Sequence, residues 1–247
     1  MWRNESVSVI LPTYNEKDSI RRVIDDFFRT GVVDEVVVVN NNAAAGTSEE
    51  IKKTAAREVF EPRQGYGAAI QRGLKESAGD LIIICEPDGT FLARDVVKLL
   101  AYADDFEVVF GTRTTQVLIW EGANMGSMLK WGNWAVAKLL EFLFNTATFT
   151  DVGCTMRLIK KEALGKIADQ FTVSGEYFGL EMTILVVLNG LRYIEVPVNY
   201  LPRVGRSSVT GHKGKTVILA LRMISLIMRY RVASWLRKVP ASKLLLM

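Results

Sequence analysis

Three short runs of apolar, largely β-branched residues punctuate the first third of the chain, and each stops at a cluster of polar residues. Residues 6–11, 36–39 and 80–85 are too short for helices and lack the polar alternation of a strand with one face in water. Uninterrupted runs of this kind suit parallel strands covered on both faces. Around them, apolar residues recur at helical spacing in 17–30, 48–57, 67–76 and 92–102, with weaker strand patterns at 58–60 and 107–110. Alternation of this order predicts an α/β fold, a Rossmann-like and mostly parallel sheet flanked by helices.

The second half is less regular. Helices are expected at 132–144 and 179–188, a strand at 193–198, a Gly/Ser/basic loop at 202–215 and a long apolar-basic helix at 216–236. We therefore expect one domain over 1–215, and a C-terminal amphipathic helical segment over 216–247. With 49% apolar and 23% charged residues the 247-residue chain has the composition of a globular protein with a sizeable core. Two cysteines (Cys85, Cys154) and a single histidine, His212, exclude a disulfide scaffold and a Cys/His zinc centre. No nucleophile motif accompanies His212, which argues against a histidine-dependent hydrolase.

Charge is unevenly distributed. After Glu195 the chain has no acidic residue, and ten basic ones lie between Arg203 and Lys243. Before them, 21 Lys and Arg face 27 Asp and Glu, a net charge of −6. An acidic body with a basic tail suits an anionic partner such as phosphate or a lipid surface. Lys215, Arg222 and Arg229 recur every seven residues among apolar neighbours, a composition suited to a helix lying in a membrane interface. A core helix, or one contacting a second copy of the chain in a homo-oligomer, is the rival reading. No signal peptide pattern and no 18-residue uncharged apolar run is present, so the expected location is cytoplasmic, peripheral on a membrane's cytoplasmic face. No fold signature points to nucleic acid.

In open α/β sheets, ligands bind beyond the carboxyl ends of strands. Polar clusters occur there after three runs: Pro12-Thr13-Tyr14-Asn15-Glu16, Asn40-Asn41-Asn42, and Glu86-Pro87-Asp88-Gly89-Thr90. In an extended segment Glu86 and Asp88 face the same side and can converge on one Mg²⁺ or Mn²⁺ completed by substrate phosphates. A solvated acidic turn is the simpler alternative. Gln64-Gly65-Tyr66-Gly67 lacks the phosphate-loop pattern and reads equally as a helix cap or a ligand contact.

Taken in order, these motifs resemble family-two glycosyltransferases, most of all the dolichol-phosphate mannosyltransferase and polyprenyl-phosphate glycosyltransferase branch. The similarity continues through Gly132-Asn133, Thr150-Asp151-Val152-Gly153-Cys154-x2-Arg157, and Glu195-Val196-Pro197-Val198-x-Tyr200-x2-Arg203-x-Gly205-x-Ser207, covering residues 6 to about 230. The resemblance implies a GT-A fold and inverting transfer from a UDP- or GDP-sugar to a polyprenyl or dolichyl phosphate, with Mg²⁺ or Mn²⁺. On the donor side it implies Pro12, Tyr14, Glu16, Asn40 and Gly65, with Arg113 and Arg203 on the diphosphate. It places the metal on Glu86, Asp88 and Thr90. Asp88, Asp151 and Arg203 become the catalytic candidates, and Arg157, Glu181 and Arg206 lie on the acceptor side.

For Glu181 the cap of a buried polar network is the favoured reading over the acceptor side. Trp120, Trp131 and Trp134 are candidates for an acceptor path or for core packing. Asn40 and Ala45 stand where the family usually has Asp, and Ser208 where it has Lys. A sugar nucleotidyltransferase, or a non-catalytic membrane-bound scaffold on the same fold, are the competing readings.

Overall fold

The computed structural model describes residues 1–123, 127–205 and 213–236, with side chains left out for 127–129 and 213–217. Seven strands form one sheet: β1 (Val7–Thr13), β2 (Glu35–Asn40), β3 (Arg57–Phe60), β4 (Leu81–Ile84), β5 (Val108–Thr112), β6 (Arg157–Lys160) and β7 (Tyr193–Pro197). Their order is β3-β2-β1-β4-β6-β5-β7. The helices are α1 (Lys17–Arg29), α2 (Thr47–Ile51), α3 (Tyr66–Glu76), α4 (Val96–Tyr102), α5 (Ser127–Phe144), α6 (Lys161–Gly165), α7 (Phe178–Leu188) and α8 (Lys213–Leu236).

The apolar runs form the buried centre of the sheet, and alternate residues feed opposite cores. Val7, Val9, Leu11, Val36, Val38, Leu81 and Ile83 pack with Ile20, Ile24 and Phe27 of α1 and Leu99 and Leu100 of α4. Ile10, Val37, Val39, Ile82 and Ile84 face the other way, onto α3, α5, α7 and α8. Helix α8 belongs to this second core through Met223, Leu226 and Ile227, all buried. The domain boundary expected at 215 thus falls inside a helix packed on the body.

β1 sits between β2 and β4, both parallel to it, so the chain reverses its direction of progress across the sheet at the β1/β4 junction. That junction opens a crevice at the carboxyl edge. β6 is the exception to parallel pairing, running antiparallel to both β4 and β5. Its reversal puts its first residue, Arg157, beside Ile84 and Phe110, near the edge where the parallel strands end.

Three local readings change. β1 runs through Pro12 to Thr13, because β4 pairing has already stopped at Ile10↔Ile84 and Pro12 owes no N–H to that side. The helix expected over 48–57 is only α2, ended as Thr54 Oγ1 donates to the Ile51 carbonyl at 2.7 Å, and Arg57 already belongs to β3. β6 was not expected at all: four residues with a charge at each end carry no strand signal of their own.

Candidate active site

The polar clusters after β1 and β4 face each other across the crevice. Glu16 opens α1, and its Oε2 accepts the backbone N–H groups of Tyr14 and Asn15, both at 2.8 Å, which fixes the carboxylate at the strand end. Ser19 Oγ donates to the Pro87 carbonyl at 2.6 Å and ties α1 to the acidic turn. In that turn Gly89 has φ +79°, a left-handed conformation that a side chain would strain.

Asp88 is 1% exposed, and its Oδ1 accepts both the hydroxyl (2.6 Å) and the N–H (2.9 Å) of Thr90. Its Oδ2 is buried without any hydrogen bond. Arg203 approaches from the segment after β7, with Nη1 at 3.3 Å from Asp88 Oδ2 and Nη2 at 3.1 Å from Glu16 Oε1. Burial and the neighbouring Asp88 charge push the Glu86 carboxyl up to about 8.

Two crowded carboxyl groups, one with a buried oxygen that faces Arg203 but accepts no hydrogen bond among the described residues, fit a hard divalent cation that takes one or two carboxylates and completes its shell with substrate phosphates. Among the described residues no cluster of three or more His, Cys, Asp or Glu side chains forms an all-protein metal cage. Thr90 donates its hydroxyl and its N–H to Asp88 Oδ1, which fixes that carboxylate.

Arg113 and Asp151 form a buried pair, Nε–Oδ2 2.8 Å and Nη2–Oδ1 3.0 Å, with the Arg113 N–H also donating to Oδ2 at 3.0 Å. Burial works against both charges, but each holds the other ionised: Asp151 ends below, and Arg113 above, its usual range. The N–H groups of Thr150 (2.8 Å) and Asp151 (3.1 Å) donate to Glu195 of β7, which anchors this loop. Both oxygens of Asp151 are engaged by Arg113, so the carboxylate orients that guanidinium.

Arg157 is 4% exposed and, among the described residues, has no carboxylate partner. Its guanidinium donates to the carbonyls of Gly179 (2.7 Å) and Cys154 and lies over the Phe110 ring. Burial lowers its pKa.

One cavity of about 480 Å³ joins these groups. Pro12, Tyr14, Glu16, Gly65, Glu86, Arg113, Arg157 and Arg203 line it; Asp88 and Thr90 are not among the lining residues, and Asp88 meets the lining through Arg203. Its far wall is apolar: Ile70, Phe178, Leu180, and Leu219 and Met223 of α8. Gly65 holds φ +149°, and a Cβ there would stand 2.3 Å from the Ser174 carbonyl oxygen, so the chain needs glycine where α3 enters the site.

Three expected site residues lie elsewhere. Asn40 is turned away from the cavity, donating to Ser48 and Glu58, and its neighbour Asn41 lines the cavity instead. Glu181 is fully buried and accepts hydrogen bonds from Thr172, Val173 and the Tyr230 hydroxyl of α8, the buried network that was its other reading. Asp151 stands behind Arg113. Arg206, Ser208 and His212 lie outside the described residues.

The sequence reading missed Tyr66, Asn133 and Tyr200 as cavity residues, although each sits within a motif it had singled out. Trp120, Trp131 and Trp134 neither line the cavity nor enter the core; all three are exposed. Cys85 and Cys154 are buried, and desolvation pushes both thiols up, Cys154 to about 12, as suits packing residues.

The comparisons agree with this geometry. The family model described as "Glycosyl transferase family 2" matches residues 8–168. A dolichyl-phosphate hexose transferase of Haloferax volcanii is 29% identical over 218 residues, covering 87% of this chain and 91% of that protein. An uncharacterised glycosyltransferase of Mycobacterium tuberculosis is 28% identical over 224 residues, 88% of this chain and 95% of the relative.

Among solved structures, glucosyl-3-phosphoglycerate synthase of M. tuberculosis, in complex with Mn²⁺, UDP and glucosyl-3-phosphoglycerate, superposes with a TM-score of 0.71 at 18% identity. It covers 92% of this chain and 80% of that one. The fold is thus the GT-A fold, and neighbours of this fold are crystallised with UDP and with Mn²⁺ or Mg²⁺. With the model covering well over half of the chain, this protein belongs to glycosyl transferase family 2 and is a glycosyltransferase.

Proposed function

We propose that the enzyme transfers a sugar, with inversion, from a UDP- or GDP-sugar to a polyprenyl or dolichyl phosphate, using Mg²⁺ or Mn²⁺. The observation that carries this reading is the single cavity with two chemically different parts. Carboxylates and Arg203 gather at the strand ends after β1 and β4, whereas Arg157, without a carboxylate partner among the described residues, and apolar side chains of α3, α7 and α8 make up another part of the lining. A donor diphosphate suits the first part. A phosphate on a hydrocarbon chain suits the second.

A divalent cation at Glu86 and Asp88 supplies neutralisation of charge on the diphosphate leaving group. Arg203 adds positive charge there, as does Arg113, which Asp151 keeps oriented at no cost in reorganisation. Tyr14, Glu16 and Asn41 border the nucleoside end. On the acceptor side Arg157 holds the phosphate. A phosphomonoester has a second pKa of about 6, so it arrives largely deprotonated and the site needs no strong base. This accords with the commitment of Asp151 to Arg113. Attack from the Arg157 side, with departure toward Arg203, gives inversion at the anomeric carbon.

Membrane association follows the acceptor. No helix among the described residues is long and apolar enough to cross a membrane. The outer face of α8 instead exposes Ile218, Leu221, Ile224, Met228, Val232 and Trp235, spaced to form one stripe, beside exposed Arg222 and Arg229. Helix α5, packed against α8, exposes Trp131, Trp134 and Phe142. Apolar and aromatic side chains bordered by arginines suit the headgroup boundary of an anionic bilayer. The inner faces of these two helices reach the cavity through Asn133, Leu219 and Met223, so an acceptor would pass from the lipid surface to Arg157.

An acceptor panel tests the reading: a polyprenyl phosphate, the corresponding alcohol, and a soluble phosphomonoester, each with UDP- and GDP-hexoses. Product with the lipid phosphate alone is the expected result. Efficient transfer to the soluble ester would remove the lipid from the account, and transfer to the free alcohol would remove the phosphate.

A further inference from the structure

The segment leaving β7 is strapped to the acidic turn. The Leu201 N–H donates to the Thr90 carbonyl at 2.8 Å, and the Val204 N–H to the Asp88 carbonyl at 2.9 Å. Between the straps, Arg203 spans the crevice and touches a carboxylate on each side, Glu16 at 3.1 Å and Asp88 at 3.3 Å. Asp88 Oδ1 is saturated by Thr90, so Oδ2, buried and without a hydrogen bond, is the one oxygen of that carboxylate open to a ligand. A guanidinium 3.3 Å from Oδ2 and a divalent cation coordinated by Oδ2 compete, since they crowd the same oxygen and repel as like charges.

We propose that Arg203 is an exchangeable counter-ion. Without donor it neutralises Glu16 and Asp88; with the donor it leaves Asp88 and pairs with the diphosphate. The inference rests on the metal-dependent reading above and concerns the order in which charges are assembled. The two backbone straps keep Cα203 in place, so only the side chain has to turn. A cation arriving alone must displace Arg203 with no compensating partner. Arriving with a nucleoside diphosphate, it brings the anion that Arg203 takes next. Metal and nucleotide therefore bind with positive coupling, transmitted by one side chain.

Arg203→Met keeps the length of the stem and removes the charge. The test is Mn²⁺ binding to the full chain, followed by electron paramagnetic resonance of the free ion, without nucleotide and with UDP or GDP. In the variant, Mn²⁺ alone should bind about fivefold tighter or more, whereas nucleotide in the presence of Mn²⁺ binds weaker by a comparable factor, in the usual range of coupling between sites. Arg203→Lys should fall between wild type and Met in both measurements. Opposite signs are the signature, because a residue that merely supports the fold would lower both affinities together. Changes in the same direction, or an unaltered affinity for Mn²⁺ alone, would overturn the exchange. A wild-type protein that binds no Mn²⁺ even with nucleotide would overturn the metal-dependent reading and the exchange with it.

Discussion

Asp151 shows what a residue's identity in a motif tells and what it hides. Its place in the Thr150-Asp151-Val152-Gly153-Cys154 motif marked it for the site, but its role depended on Arg113, a residue 38 positions earlier. The Asn40 pattern failed for a related reason: adjacent residues leaving a strand point opposite ways, and only the sheet decides that Asn41 faces the cavity.

Asp151→Asn leaves Arg113 a buried cation with a weakened partner, and the expected loss of stability is on the order of 3–5 kcal/mol, measured by urea unfolding. The sign with pH follows from the depressed pKa of Asp151. Its contribution is present above the unfolded carboxylate's pKa of 3.8 and is lost as pH falls through the lower folded value. Wild type should thus lose its advantage over the variant only in strong acid. An advantage that vanished near neutrality would contradict the pairing.

The buried strands were legible as uninterrupted apolar runs, and the amphipathic helices because their periodicity repeats over enough residues to be counted. β6 was not, since its strand character comes from insertion between β4 and β5 rather than from its own four residues. That insertion matters chemically: reversing one strand delivers Arg157 to the cavity.

Helix α8 was legible as an element, but how it attaches was not. Tyr230 donates to Glu181 at 2.8 Å, and Arg229 donates to Thr172 at 2.9 Å, clamping the helix over α7. Tyr230→Phe removes one hydrogen bond to a buried carboxylate that keeps its bonds from Thr172 and Val173. A loss of about 1–2 kcal/mol is expected in chemical denaturation. A neutral substitution would show that α8 is held by its apolar contacts alone.

On the scale of the whole molecule, exposed apolar side chains concentrate on α5 and α8. Helices α5 and α8 pack together, each exposes apolar side chains, and each contributes to the cavity through Asn133, Leu219 and Met223. Deleting α8 is a poor probe of the membrane, because Met223, Leu226 and Ile227 leave the core with it. Replacing Leu221, Ile224 and Met228 together by Ser changes only exposed positions. Co-sedimentation with anionic vesicles should fall in this variant, and wild-type binding should weaken with salt without vanishing, since only the electrostatic part is screened. Equal sedimentation of both proteins would assign the stripe to another partner.

The central claim is that the Glu86–Asp88 turn is a metal-dependent donor site in a glycosyltransferase that acts on a lipid phosphate. Release of nucleoside diphosphate from UDP- and GDP-hexoses, in the presence of polyprenyl phosphate, tests it most directly. Wild type and Asp88→Ala are compared with Mn²⁺ and after chelation. The account predicts release by wild type with Mn²⁺, loss of release on chelation and its return when Mn²⁺ is restored, and no release by Asp88→Ala under any condition. Turnover by chelated wild type, or near-normal turnover by Asp88→Ala, would contradict it.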